Sequence, residues 1–114
     1  MVYVKPQALP LSDRMIEQVA RRFRLLGEPM RLRILQVLES GEHTVNELVA
    51  ALRTSQPNVS RHLHAMYDGG LLARRRVGTS VYYSIADPVV LRLCALVCET
   101  QPPDAAALRG DASR

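Results

Sequence analysis

Between Thr44 and Gly70 two helical periodicities follow each other almost without a gap, TVNELVAAL and then SQPNVSRHLHAMYDGG, with only Arg53 and Thr54 between them. In the first, Thr44 and Glu47 have the spacing of a capping box, and Val45, Leu48, Val49 and Leu52 recur at helical intervals. In the second, Ser55 is placed to cap, Pro57 is tolerated in the first turn, and Val59, Leu63 and Met66 form one apolar stripe before Gly69-Gly70 stop the helix. Two short helices joined by a tight turn are the pattern of a helix-turn-helix.

The flanking sequence builds a domain around this pair. Ser12 and Asp13 open a first helix, with Met15, Ile16, Val19, Ala20, Phe23 and Leu26 at helical spacing and Gly27 as its stop. Glu28-Pro29 restarts the chain, and MRLRILQVLES places Leu32, Leu35 and Leu38 inward, with Ile34 or Val37, ahead of Gly41. After the helix-turn-helix, LLARRRVGTSVYYSI alternates weakly on both sides of Gly78-Thr79, as a two-stranded hairpin would. This hairpin is a wing. Asp87-Pro88 starts a last helix, VVLRLCALVCE, apolar over most of its circumference. In so small a domain such a helix needs a cover, and a second copy of the chain supplies one. The expected organisation is an arm over 1–11, a winged helix-turn-helix domain with its dimerisation helices over 12–100, and a disordered tail over 101–114 whose apolar periodicity is too weak to pack.

A chain of 114 residues folds as one domain that buries about two thirds of its surface, and pairing helps complete its core. No apolar run reaches membrane-span length and the start lacks a secretory signal, so a cytoplasmic protein with no membrane partner is expected. Cys94 and Cys98, four apart, are not the scattered framework of a small secreted protein. The net charge of +4 is localised. Arg53, Arg61, Arg74, Arg75 and Arg76 face one acid, Asp68; Arg21, Arg22, Arg24, Arg31 and Arg33 face only Glu28. The rest of the chain is net acidic by the same count, so the positive charge has the distribution a polyanion partner needs. For Arg21, Arg22 and Arg24, plain solvation of a helix face is an equal reading.

If Val59, Leu63 and Met66 point inward, Asn58, Arg61, His64 and Ala65 point away, with Gln56 and Ser60 at the exposed start and flank. Amide, guanidinium, imidazole and hydroxyl groups bond base edges and phosphates, whereas a carboxylate there would repel the DNA backbone. The helix N-terminus adds free N–H groups. An ordinary solvated helix mixes charge signs along its face, and this one does not. Double-stranded DNA is therefore the expected partner, contacted by Gln56, Asn58, Ser60, Arg61 and His64 and, on the wing, by Arg74, Arg76 and Thr79. Strand alternation aims Arg75 opposite to its two neighbours. His62, beside Leu63, reads as a packing residue.

The stretches LGEPMRLRILQVL, TVNELVAAL and SQPNVSRHLHAMYDGGLLARRRVGTSVYYSI, in that order over about Phe23 to Ile85, resemble the ArsR family of bacterial winged-helix repressors. The resemblance implies a mainly α fold with a small β-hairpin, dimerising through its first and last helices. It also implies repression at an imperfect palindromic operator and release of DNA when an inducer binds. Carried over by position, Gln56, Asn58, Ser60, Arg61 and His64 fall in the recognition helix, and Gly78 and Thr79 at the wing tip. Three inducer sites of the family find no match. The third helix lacks the Cys-x-Cys pair of arsenic sensors, the last helix has Asp87 followed by valines and leucines and no histidine where zinc and nickel sensors place Asp, His and Glu ligands, and the second helix lacks the cysteine of persulfide sensors.

Cys94 and Cys98 share one face of the last helix, a turn apart, where their thiolates could hold a soft ion such as As(III), Cd(II), Hg(II) or Zn(II) with ligands added from a second copy. An intrahelical disulfide is disfavoured, because Cβ atoms one turn apart stand about 5–6 Å from each other. Cysteine is equally a small apolar filler of buried helices. Three readings follow: a repressor relieved by a thiophilic metal, metalloid or other thiol-reactive effector; a repressor with no metal inducer, its cysteines structural; and a protein-interaction module using the basic face. No cofactor is required by any of them. An enzyme is not expected, because His43, His62, His64 and the acids form no nucleophile-base set and no glycine-rich phosphate loop is present.

Overall fold

The computed structural model describes residues 11–103, so the expected arm and tail lie, except for Leu11 and Gln101–Pro103, outside the described residues. Five helices and three strands follow in the order α1 (Asp13–Leu26), α2 (Pro29–Leu38), β1 (His43–Thr44), α3 (Val45–Leu52), α4 (Gln56–Asp68), β2 (Leu72–Val77), β3 (Ser80–Ile85) and α5 (Val89–Cys98).

The helix starts are set by the residues the sequence marks. Ser12 Oγ accepts from the Met15 amide at 3.2 Å, and Ser55 Oγ accepts from the Asn58 amide at 3.2 Å. At α3 both halves of the capping box form: Thr44 Oγ1 accepts from Glu47 N at 3.2 Å while Glu47 Oε1 accepts from Thr44 N at 2.9 Å. Asp87 Oδ1 takes the Val89 amide at 3.0 Å ahead of α5. Each bond satisfies an N–H that has no partner inside its own helix. The turn between α3 and α4 closes through Arg53, which adopts a left-handed conformation (φ 53°) unusual for a residue with a side chain. At the wing tip Gly78 has φ 60°, as the first central position of a type II′ hairpin turn requires.

The core lies where α2, α3, α4 and the sheet meet. Ile34, Leu35 and Leu38 of α2, Leu48 of α3, and Val59, Leu63 and Met66 of α4 pack with Leu71, Leu72, Tyr83 and Val90. The stripe expected on α4 is fully buried. Leu32, expected inward, is 43% exposed. At about 100° per residue Leu32 and Leu38 stand about 120° apart, and the buried arc, running from Ile34 through Leu38 to Leu35, leaves Leu32 outside. The same arc includes Arg31.

The wing is part of a larger sheet than the expected two-stranded hairpin. β1 adds a third strand in the order β1-β3-β2, pairing His43 with Tyr83 and Thr44 with Tyr82. Two residues are too few to show an alternation, so nothing in the sequence announced β1.

The outermost helices are unfinished. On α1 Met15, Ile16, Val19 and Phe23 are exposed and only Leu26 is buried; on α5 Val90 is buried while Val89, Leu96 and Val97 are exposed. A groove of about 620 Å³ runs between them, walled by Met15, Val19, Phe23, Leu25, Gly69 and Leu93. Truncating the centre of the core, Leu63→Ala, is expected to lower unfolding stability by about 2–5 kcal/mol. Removing the α3 cap, Thr44→Ala, is expected to cost about 1 kcal/mol. Urea denaturation followed by circular dichroism measures both.

Candidate nucleic-acid interface

Burying Val59, Leu63 and Met66 turns the opposite side of α4 to solvent, and there Gln56, Arg61 and His64 are exposed while Ser60 and Ala65 are half-buried. Asn58 is also half-buried and already engaged: its Nδ2 donates to Thr54 Oγ1 at 3.0 Å, and its Oδ1 accepts from Arg61 Nη2 at 3.0 Å. The amide expected to face outward thus ties the first turn of α4 to the preceding turn and steadies Arg61. Pro57 removes one N–H from the helix start, and the Asn58 amide is taken by Ser55. The exposed part of this face carries no acid before Asp68 at the helix end.

The wing brings its arginines alongside. In the β2–β3 register Arg74 stands opposite Tyr83, Arg75 opposite Tyr82 and Arg76 opposite Val81. Arg74 lays its guanidinium over the Tyr67 ring, 3.9 Å from the centroid, joining the wing to α4 by a cation–π contact. The hydroxyls of Tyr83 and Tyr67 beside it hold Arg74 firmly protonated. Arg75 points the other way, as alternation requires, and makes a two-pronged ion pair with Glu42, Nε to Oε1 at 2.8 Å and Nη2 to Oε2 at 2.6 Å. Between α4 and the wing lies an open groove of about 520 Å³, lined by His64, Tyr67, Arg74, Arg75, Arg76, Val81 and Tyr83. Thr79 is exposed at the wing tip. Gln56, Arg61, His64, Arg74, Arg76 and Thr79 therefore lie open to solvent, while Asn58 is occupied within the fold. Arg21, Arg22 and Arg24 are exposed on α1.

His62, 2% exposed, is the buried polar side chain of the described core. Its Nδ1 accepts from Arg31 Nε at 3.0 Å. Burial first, then the Arg61 and Arg31 guanidiniums, hold its pKa below the usual imidazole value, with Glu28 pulling weakly upward. Sequence reading singled out His62 for packing but missed its partner, although the helical phase of Arg31 in α2 was the available signal. Tyr67, the platform for Arg74, was missed as well.

On α5, Cys94 is half-buried and Cys98 exposed, and both are free thiols. Burial pushes the Cys94 thiol upward. Among the described residues no group of three or more His, Cys, Asp or Glu is placed to hold a metal ion. No described helix is long and apolar enough to cross a membrane.

A helix-turn-helix whose second helix presents an acid-poor polar face, flanked by a basic hairpin, defines a winged-helix DNA-binding protein. The family model described as "Bacterial regulatory protein, arsR family" matches residues 28–74. A probable mercury resistance operon repressor of Streptomyces lividans is 41% identical over 81% of this chain and 74% of its own length. A Synechocystis homologue of the transcriptional repressor SmtB is 38% identical over 79% of this chain and 67% of its own. Among solved structures, the homodimeric winged helix-turn-helix DNA-binding domain of a possible ArsR-family regulator from Mycobacterium bovis superposes with a TM-score of 0.70 at 35% identity, covering 88% of this chain and 89% of that one. The chain belongs to the ArsR family. It is a transcriptional repressor of the ArsR/SmtB type with a winged helix-turn-helix DNA-binding domain, and not an enzyme.

The Glu42–Arg75 pair has a readable pH signature. Its hydrogen bonds to Arg75 hold the Glu42 carboxyl below its ordinary value. The pair is complete above the usual carboxylate range and is lost only as pH falls through the lowered pKa. The Arg75 Nε–H resonance is expected to keep its bonded shift through pH about 4.3, the ordinary glutamate value, and to move below it. In Glu42→Gln, whose amide does not titrate, the pH-dependent movement should be absent throughout an NMR titration.

Proposed function

We propose that this chain represses as a homodimer on a palindromic operator, with α4 in the major groove and the wing along the neighbouring backbone. Gln56, Arg61 and His64 meet base edges or nearby phosphates. Ser60 and the start of α4 serve the backbone, and Asn58 acts by holding Arg61. Arg74, Arg76 and Thr79 take phosphates from the wing. The observation that carries this reading is the shared orientation of the exposed α4 face and Arg74 and Arg76, on either side of one groove. Homodimerisation is supported by the exposed apolar stripes of α1 and α5 and by the homodimeric Mycobacterium domain. Pairing through these helices sets the separation of two α4 helices against half-sites about 34 Å apart.

The effector we infer is a thiophilic ion held by Cys94 and Cys98, in keeping with likeness to a probable mercury resistance operon repressor. Each chain offers two thiols on one helix face, sufficient for two bonds, so further ligands for As(III), Cd(II) or Zn(II) would come from the second protomer. An ion skewing α5 alters the spacing between recognition helices, and a coupling of about 1–3 kcal/mol is enough to weaken operator binding. The half-burial of Cys94 favours the second reading, in which the thiols fill space and the repressor has no metal inducer.

Fluorescence anisotropy of the reduced protein on a duplex from upstream of its own gene tests the assignment. Arg61→Ala is expected to cost about 1–3 kcal/mol of binding and to relax preference at one position of each half-site. Arg76→Ala should weaken binding evenly across sequences and lower the salt slope by about 1. Near-stoichiometric arsenite, cadmium or mercuric ion should release the duplex from the native protein and leave Cys94→Ser, Cys98→Ser bound. Equal indifference of both proteins would assign the thiols to packing.

A further inference from the structure

The part-buried link between Arg31 and His62 ties α4, which carries the DNA-binding face, to elements that face does not include. Arg31 leaves α2 from its buried arc and donates twice: Nε to His62 Nδ1 at 3.0 Å, and Nη1 to the carbonyl of Leu25 at 3.1 Å. Leu25 lies in the last turn of α1, whose terminal carbonyls lack partners within the helix. One guanidinium therefore clamps the end of α1, the start of α2 and the middle of α4.

The chemistry of His62 makes the clamp directional. Accepting at Nδ1, a neutral imidazole carries its proton on Nε2. Arg61 Nη2 stands 3.3 Å from that nitrogen, so two N–H groups face each other and no bond forms between them. Arg61 is held on this side only through Asn58. A neutral His62 thus binds Arg31 and makes no bond to Arg61, whose direction Asn58 sets. A protonated His62 has no acceptor for Arg31 and stands as a third cation between two guanidiniums, with Glu28 supplying a compensating charge.

We propose that Arg31 and His62 are positioning residues for DNA binding: their hydrogen bond sets α4 against the α1–α2 corner, and breaking it weakens operator binding while the domain stays folded. The inference rests on α4 being the DNA-reading helix. It also makes the bond a route by which displacement of α1 reaches α4.

The test is anisotropy on the same duplex from pH 7.5 to 5.5 at fixed ionic strength, with folding followed by circular dichroism. His62→Leu, which removes the acceptor, and Arg31→Met, which removes the donor, are each expected to bind about tenfold more weakly, a typical intersite coupling. The double variant should bind no worse than either single one, since the two side chains make one bond. His62→Asn, with its amide oxygen near the place of Nδ1, should bind as the wild type does at pH 7.5.

On acidification below about 6.5, the ordinary histidine value, the wild type is expected to lose affinity relative to His62→Asn. Exposed His64 is common to both proteins and drops out of that ratio. Should the leucine variant unfold, the wild-type and asparagine proteins, which differ in titration at this one place, carry the test. Additive losses in the double variant, or parallel pH profiles for wild type and His62→Asn, overturn the proposal. Failure of the wild type to prefer any duplex overturns the DNA-reading assignment itself, and this inference with it.

Discussion

The burial of Val59, Leu63 and Met66 fixes how far α4 is rotated about its own axis, and the exposed face follows from that rotation. Each residue turns the helix by about 100°, so a slip by one position would carry Arg61 and His64 toward the core and expose leucine to water. The stripe meets α2, α3 and the sheet in a fully packed interior, where such a slip would leave voids and unpaired polar groups. Electrostatics then refine what packing imposes. Asn58 and Tyr67 at the edges of the stripe direct Arg61 and Arg74 without themselves standing free.

Much of this was legible because short-range chemistry and long-range packing agree in the central segment. Thr44 with Glu47, Ser55 with Pro57, and Gly78 at the wing turn each act within a few residues, and each forms the cap or turn its type favours. What escaped reading depends on partners distant in sequence. β1 exists because Tyr82 and Tyr83 come alongside His43 and Thr44. Arg31 is drawn inward by a histidine on another helix, and Arg75, whose direction alternation foretold, finds its partner in an acid that precedes the helix-turn-helix. Leu32 shows the opposite error, in which hydrophobicity was read without its helical phase.

The outer helices show a division of labour in the apolar surface. Residues of α2, α3 and α4 complete a core within one chain, whereas α1 and α5 bury only Leu26 and Val90 in it, with Leu25 and Leu93 packed at its margin. Met15, Val19 and Phe23 of α1 and Leu93 of α5 line a groove that this chain does not fill, and Ile16, Val89, Leu96 and Val97 stand exposed beside it or beyond it. An effector acting there would alter the relation of one DNA-reading unit to another without entering the interior that shapes each unit. Cys94 and Cys98 lie on α5, outside the helix-turn-helix they would regulate.

The short strand β1 runs straight into α3, with Thr44 ending the one and capping the other. Through β3 it is bonded to the whole wing, and Glu42, just before it, grips Arg75. On the α3 side no loop separates the sheet from the helix pair, and on the α4 side Arg74 against Tyr67 joins wing to helix. Wing and recognition helix therefore move as a single stiff reading head. A reorientation of that head would break groove contacts and backbone contacts together, giving an abrupt loss of grip where independently hinged parts would let go by degrees.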